Sequence, residues 1–119
     1  MSSRVTDLLL GAALAAFSTA SFGAAVGSTS VFDYAATAGF LLGVASQGIG
    51  AVWKGQRRYY DPVFPAPWNA VLTVTDTIFI ALILLGLTLD LRAPELVYWL
   101  GAIALLVSAP SRLLPAFRS

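Results

Sequence analysis

Polar and apolar positions alternate along this chain in long blocks rather than in short amphipathic repeats. Residues 8–27 and 34–53 contain no charged side chain, residues 68–89 contain one, and residues 94–110 contain one near their start. A helix needs about 20 mainly apolar residues to cross the ~30 Å hydrocarbon core of a bilayer. The pattern therefore predicts an all-α integral membrane protein. We expect four transmembrane helices in two helical hairpins, joined by short loops within one domain over residues 1–119.

The polar breaks between these blocks contain residues that end helices or start new ones. "GSTSVFD" supplies Asp33, which we interpret as the N-cap of the second helix. "KGQRRYYDPVFPAP", residues 54–67, contains three prolines and predicts a Pro-rich connector without helix. "DLRAPE" places Pro94 in the first turn of the fourth helix, with Glu95 beside the positive helix end.

Composition agrees with a lipid environment. The chain is 58% hydrophobic and 11% charged, with a mean hydropathy of +0.81. Soluble domains carry about 25% charged residues, and a soluble globule this poor in charge would expose large apolar patches. A net charge of +1 from few, scattered basic residues gives no reason to expect a nucleic-acid partner. We expect the lipid bilayer to be the main partner.

Basic residues fall mostly on one side of a four-span arrangement, and this bias predicts the orientation. Only Arg92 of the seven basic residues lies on the opposite side from the rest. Since Lys and Arg are enriched in cytoplasmic loops, we expect both termini and the connector to be cytoplasmic in a multi-pass protein of the cell membrane, or of a virion or vesicle membrane. The connector's interfacial basic residues can attract anionic lipids at about 1 kcal/mol each. They are Lys54, Arg57 and Arg58.

The first apolar block has a second interpretation as a secretory signal peptide. "LLLGAALAAF" follows Arg4 and precedes the small residues "STA". However, Asp7 lies where a signal peptide is basic, and the apolar run continues well past the candidate cleavage point. We therefore predict a retained membrane span.

Small residues recur four positions apart in the first two blocks. They are Thr19, Gly23 and Gly27 in the first and Ala35, Gly39 and Gly43 in the second. Small side chains let helix backbones approach closely in lipid, where packing replaces the hydrophobic drive. We expect them to pack the first hairpin within one subunit; a homo-oligomer interface is the alternative. The Leu-rich third and fourth blocks are expected to form the lipid-facing boundary.

Asp76, in "TVTDTIF", lies inside the third block. Asp76 is ~12 Å along the helix from Trp68, and Gln47 is ~9 Å from Trp53 at the same side, so the two side chains share a depth. Thr73 and Thr77 adjoin Asp76. We expect these four residues to form an intramembrane polar cluster in which a neutral carboxyl group donates to Gln47 and fixes helix register.

The alternative role for Asp76 is binding a proton or a cation in transport. An ionised carboxylate at the bilayer centre costs at least ~2.5–3.5 kcal/mol, so intramembrane acids are functional candidates. Only one acid is present there, and no second titratable group is expected at its depth. We therefore favour the structural interpretation.

Candidate catalytic chemistry is sparse. The chain has no Cys and no His, which excludes Cys-ligated metals and removes the commonest general base. We expect no enzyme activity, no bound metal and no cofactor.

The predicted function is a structural or accessory membrane component: a subunit of a larger complex, or an envelope-type or matrix-type protein of a membrane-bounded particle, with other membrane subunits or itself as partner. The alternative is a small homo-oligomeric proton- or cation-coupled transporter or channel that uses Asp76.

Overall fold

Four helices account for nearly all of the described chain. The computed structural model describes residues 4–52 and 67–118, with side-chain surroundings for 5–52 and 67–114. The helices are α1 (Arg4–Ala25), α2 (Thr29–Val52), α3 (Trp68–Leu89) and α4 (Glu95–Arg118). No strand occurs in these described ranges. Each helix is long and apolar enough to cross a membrane, as the sequence predicts.

Helix boundaries match the predictions best where a turn residue ends the helix. α3 has the predicted bounds, and Asp90 ends it in the left-handed conformation, with φ 56°. α2 begins earlier than predicted, because Ser28 accepts a bond from the Val31 backbone N–H at 3.4 Å; Asp33 is an exposed residue inside the helix, so the N-cap prediction for it is wrong.

α4 continues eight residues beyond the predicted end at residue 110. The predicted fourth span stops at residue 110, before the basic residue Arg112. Arg112 is instead only 5% exposed and points into the protein, so its charge does not mark a boundary. The Ser111 hydroxyl donates to the Ser108 carbonyl one turn back, which supplies an extra bond beside the proline.

α1 is the central helix and packs antiparallel against α2 and α4. Towards α4, the Ser18 hydroxyl donates to the Ala102 carbonyl at 2.7 Å and the Ser21 hydroxyl donates to the Tyr98 carbonyl. A Cβ on Gly101 would lie 2.8 Å from Ser21 Oγ, so the missing side chain permits this approach. Interhelical bonds between hydroxyls and carbonyls therefore fix α1 against α4.

The division into a packed first pair and a peripheral second pair is not what the structure shows. Of the most apolar 18-residue window in each helix, 56% is buried in α1 and 39% in α4, against 22% in α2 and 17% in α3. The interior pair is α1 and α4, and the two peripheral helices are α2 and α3. α2 packs on one side of α1, and α3 touches its neighbours through few residues.

The antiparallel arrangement places the start of α1 and the end of α4 at one end of the bundle, here called the terminal end. The other end carries the connections at residues 26–28 and 90–94 and is called the loop end. Phe32 is fully buried at the loop end, and the Arg92 guanidinium lies 4.9 Å from its ring centroid. The predicted connector lies outside the described residues apart from Pro67.

Candidate functional site: a buried charge cluster at the terminal end

Asp76 is one of three buried residues in α3, and its carboxylate faces α4. The Ser108 hydroxyl donates to Asp76 Oδ1 at 2.7 Å, and both side chains are nearly inaccessible to solvent. The acid is therefore held by a specific donor from the neighbouring helix.

A cation also lies near Asp76. Arg112 lies one helical turn beyond Ser108, so both side chains are on the same face of α4. The Arg112 side chain is buried on the face of α4 that carries Ser108, which places its positive charge near Asp76. This finding corrects the expectation that no second titratable group lies at the depth of Asp76.

A second acid lies at the same end of the bundle. Asp7 on α1 is 2% exposed, and both Asp7 and Arg112 make polar or electrostatic interactions. α1 and α4 run antiparallel, and a Cβ on Gly11 would lie 3.4 Å from the Ala109 carbonyl oxygen. One turn further towards the terminal end, this register places Asp7 at the level of Arg112. Asp7, Asp76, Ser108 and Arg112 are called the charge cluster below.

Polar bonds beside the charge cluster attach the remaining helix. The Ser46 hydroxyl on α2 donates to the Thr6 carbonyl on α1 at 3.0 Å, and both side chains are buried. All four helices thus contribute a buried polar side chain to the terminal end. Since each such group needs a partner away from water, together they restrict how the helices can slide or rotate.

The chemistry available in the charge cluster is limited to charge pairing and hydrogen bonding. Among the described residues, no group of three or more His, Asp, Glu or Cys is placed to hold a metal ion. The Ser108 hydroxyl already donates to a carboxylate, and no imidazole or thiol exists in this chain to act with it. The arrangement is that of a buried polar contact between helices.

The predicted polar cluster is divided between two faces of α3. Gln47 and Thr77 line one cavity, whereas Asp76 faces α4. Gln47 Nε2 donates to Ser46 Oγ at 3.4 Å, and the Thr77 hydroxyl donates to the Thr73 carbonyl in its own helix. The bond from Asp76 to Gln47 remains a prediction, and Ser108 is the donor that the structure gives to the acid.

The six predicted packing residues have different surroundings. Gly23 and Gly39 lie at the contact between α1 and α2: a Cβ on Gly23 would lie 2.9 Å from the Phe32 backbone nitrogen, and one on Gly39 would lie 3.1 Å from the Phe17 ring. Ala35 packs against the buried core. The other three do not make close helix contacts: Thr19 is exposed, Gly27 has φ 80° in the connection after α1, and a Cβ on Gly43 would meet nothing within 4 Å.

Sequence reasoning missed Asp7, Ser108 and Arg112. Asp7 was read only as evidence against a signal peptide, and Arg112 only as a basic residue near the chain end. The useful signal was the four-residue spacing of Ser108 and Arg112, which puts a hydroxyl and a cation on one helix face. The predicted interfacial residues Lys54, Arg57 and Arg58 lie outside the described residues.

A cavity of about 720 Å³ separates the two peripheral helices. α1 forms its floor, and α2 and α3 form its walls. Apart from Gln47 and Thr77, the lining is apolar or glycine. It therefore differs in character from the charge cluster on the opposite face of α3.

Comparison with protein-family models, with curated proteins and with solved structures finds no significant match. Function is therefore argued from the residues of this chain alone.

Proposed function

We propose that this protein is a non-catalytic component of a membrane, with four spans, both ends cytoplasmic and a structural or accessory role. In this role it is a small subunit of a larger membrane complex or an envelope-type protein of a membrane-bounded particle. The observation that carries the proposal is the 2.7 Å hydrogen bond from Ser108 to Asp76, with Arg112 buried one turn further along the same face of α4. A carboxylate held by a donor and a cation of its own bundle serves to position helices.

The exposed surface supports the same role. α2 and α3 present large apolar side chains away from the bundle, including Leu41 and Val44 on α2 and Val74 and Ile78 on α3. In a bilayer these faces contact lipid or a neighbouring protein, and protein contact there depends on packing rather than on the hydrophobic effect. The connections at the loop end are short, so among the described residues no water-exposed domain is present there that could bind a substrate.

Transport by Asp76 is the alternative, and ion flux distinguishes the two. Purified protein is reconstituted in liposomes with an internal pH-sensitive dye, and wild type is compared with Asp76→Asn. We expect proton or cation flux no greater than in protein-free liposomes for both proteins. Coupled flux in wild type that the amide substitution abolishes would overturn the structural role.

A second measurement addresses the accessory role directly. A photo-crosslinking amino acid is placed at Ile78, on the exposed face of α3, and at Ala102, which is buried between α1 and α4. In native membranes we expect discrete protein adducts from position 78 and none from position 102. Adducts to lipid alone at position 78 would contradict a subunit role.

A further inference from the structure

α3 is held differently in its two halves. Its three buried residues are Asp76, in the half nearer the terminal end, and Ile83 and Gly86, in the half nearer the loop end. From residue 68 to residue 78, Asp76 is therefore the only buried residue. A polar contact attaches the terminal half of α3 to the bundle, and apolar packing attaches the loop half.

The loop half of α3 is closely packed. A Cβ on Gly86 would lie 3.0 Å from Phe32 Cζ, so α3 and α2 touch at this level. Ile83 belongs to the same buried core as Phe32. Asp90 turns the chain in the left-handed conformation, and residues 90–94 alone join α3 to α4. This end of α3 cannot move far without disrupting the core.

The terminal half of α3 is attached through a polar face. Asp76 accepts the hydrogen bond from the Ser108 hydroxyl on α4 at 2.7 Å. Asn69 and Thr73 lie on the same face, one and two turns nearer the terminal end; they are half-buried and also make polar interactions. Within residues 68–78, all of which are described, no buried apolar side chain joins α3 to α4. This half of the helix therefore depends on polar bonds to stay in place.

Space for movement lies on the side of α3 that faces α2. Beyond the contact at Phe32, the two helices separate and line the cavity of about 720 Å³, which is open to the outside of the bundle. A Cβ on Gly43 or Gly48 of α2 would meet nothing within 4 Å. No α3 residue before Thr77 is among the lining residues of this cavity. The terminal half of α3 can therefore approach α2 without a collision between backbones.

We propose that α3 is a hinged helix that pivots at its loop end and swings at its terminal end between α4 and α2. The hydrogen bond from Ser108 to Asp76 is the latch that holds the helix against α4, and the structure shows the latched state. In the released state the terminal half of α3 moves into the cavity and uncovers the face of α4 around Ser108. The motion is a hinge motion, because the packing at Gly86 stays closed while the polar contact opens. The hinge does not depend on the accessory role proposed above.

The latch is weak enough to open and strong enough to be measured. One interhelical hydrogen bond in a membrane protein changes an equilibrium about threefold on average. Ser108→Ala removes the donor to Asp76 and should therefore raise the ratio of released to latched protein about threefold.

Distances between spin labels test the hinge. The chain has no native Cys, so pairs of cysteines at exposed positions carry the labels, and double electron–electron resonance measures their separation in phosphatidylcholine nanodiscs. Positions Val71 and Leu114 report on α3 and α4 at the terminal end, and Val71 and Val52 report on α3 and α2 there. Leu89 and Tyr34 report on α3 and α2 at the loop end.

In Ser108→Ala we expect the two pairs at the terminal end to change in opposite directions. The longer distances between Val71 and Leu114 and the shorter distances between Val71 and Val52 should gain population about threefold. The distance between Leu89 and Tyr34 should not change. Thr75→Val is the matched control, because the Thr75 hydroxyl donates to the Val71 carbonyl within α3, and all three distances should stay as in wild type.

A second substitution tests where α3 moves. Gly43→Leu fills the space beside α2, so the double variant Ser108→Ala/Gly43→Leu should return to the latched distances. Ala45→Leu, at an exposed α2 position outside the cavity lining, should not restore them in the Ser108→Ala background.

Three results would overturn the proposal. Unchanged distances at the terminal end in Ser108→Ala would show that the bond is not a latch. An equal change at the loop end would show that α3 separates as a whole, or that the variant loses its fold, instead of pivoting. Released distances that persist after Gly43→Leu would show that α3 does not move into the cavity.

Discussion

The contact between α1 and α4 differs in kind from the boundary between α2 and α3. Across the first, Gly101 leaves room for the Ser21 hydroxyl, and the hydroxyls of Ser18 and Ser21 bond to carbonyls of the opposite helix. Across the second, glycine leaves space and the helices line an apolar cavity that is open to the outside of the bundle. Small residues therefore do not by themselves identify a helix contact; what matters is the face on which they lie and which helix is opposite.

α3 contributes to both the charge cluster and the apolar cavity, because two of its faces differ. One face presents Asp76 to α4, and the other presents Thr77 to the cavity, one residue further along the helix. Adjacent residues on a helix point about 100° apart. The charge cluster thus attaches the most exposed helix to the closed side of the bundle while the other side stays open.

The largest effect is expected from removing the cation of the charge cluster. Arg112→Leu removes the buried cation from the end of the bundle where Asp7 and Asp76 are buried, and leaving buried acids without a nearby cation costs about 3–5 kcal/mol. The free energy of unfolding, measured by denaturant titration in mixed micelles, should fall by that amount.

Arg92→Leu is the matched control. Its partner Asp90 is 89% exposed, and an exposed pair contributes about 0–1 kcal/mol. The contact of Arg92 with the Phe32 ring adds about 0.5–1 kcal/mol, so the loss for the control should still be the smaller one. Equal losses for the two variants would show that the cluster does not hold the bundle together.

A leucine introduced at the contact between α1 and α4 should lower the stability of the protein, whereas a leucine introduced beside the cavity should not. Gly101→Leu places a Cβ 2.8 Å from both Phe79 Cδ1 and Ser21 Oγ, and overpacking of this kind costs about 1–3 kcal/mol or more. Gly43→Leu meets open space and also removes a flexible glycine from a helix, so unfolding should occur at the same or slightly higher denaturant. Thermal unfolding in detergent gives a second measure of both. Similar destabilisation at the two positions would mean that the two sides are packed alike.

The smallest effect is expected from the single hydroxyl bonds between α1 and α4. Ser18→Ala removes the donor to the Ala102 carbonyl and should cost about 0.6 kcal/mol, the mean for interhelical bonds in membrane proteins. Thr19→Val, one residue along, removes a hydroxyl that bonds only within its own helix, at the Ala15 carbonyl, and should cost less. A larger loss of unfolding free energy for Thr19→Val than for Ser18→Ala would contradict the finding that Ser18, and not Thr19, bonds to α4.

Sequence alone predicts the number of helices and the bounds of α3, because hydrophobic length and a turn at Asp90 determine both. It does not predict the partner of Asp76. Depth along a helix follows from residue number. Rotation about the helix axis follows from packing, and it turns Asp76 towards Ser108 instead.

The prediction of the interior helices was wrong for the same reason: the sequence does not show which face of each helix packs against a neighbour. Composition pointed to the Ala- and Gly-rich first two blocks, whereas α4 supplies the second interior helix. Its small residues Gly101, Ala102 and Ser108 lie on one face. The composition of the whole helix is rich in leucine, so composition alone does not show that this face is small. The predicted end of the fourth span at residue 110 had a similar cause, since a basic residue inside a helix is tolerated where acids are buried at the same end of the bundle.

Side-specific labelling tests the central claim, a bundle that crosses the membrane four times with both ends on one side. The chain has no native Cys, so single-cysteine variants react only at the chosen position. Ser2→Cys, Arg118→Cys and Asp90→Cys are treated with a membrane-impermeant maleimide in sealed vesicles of known orientation. We expect positions 2 and 118 to react from the cytoplasmic side and position 90 from the opposite side. Reaction of positions 2 and 118 from different sides would contradict the account.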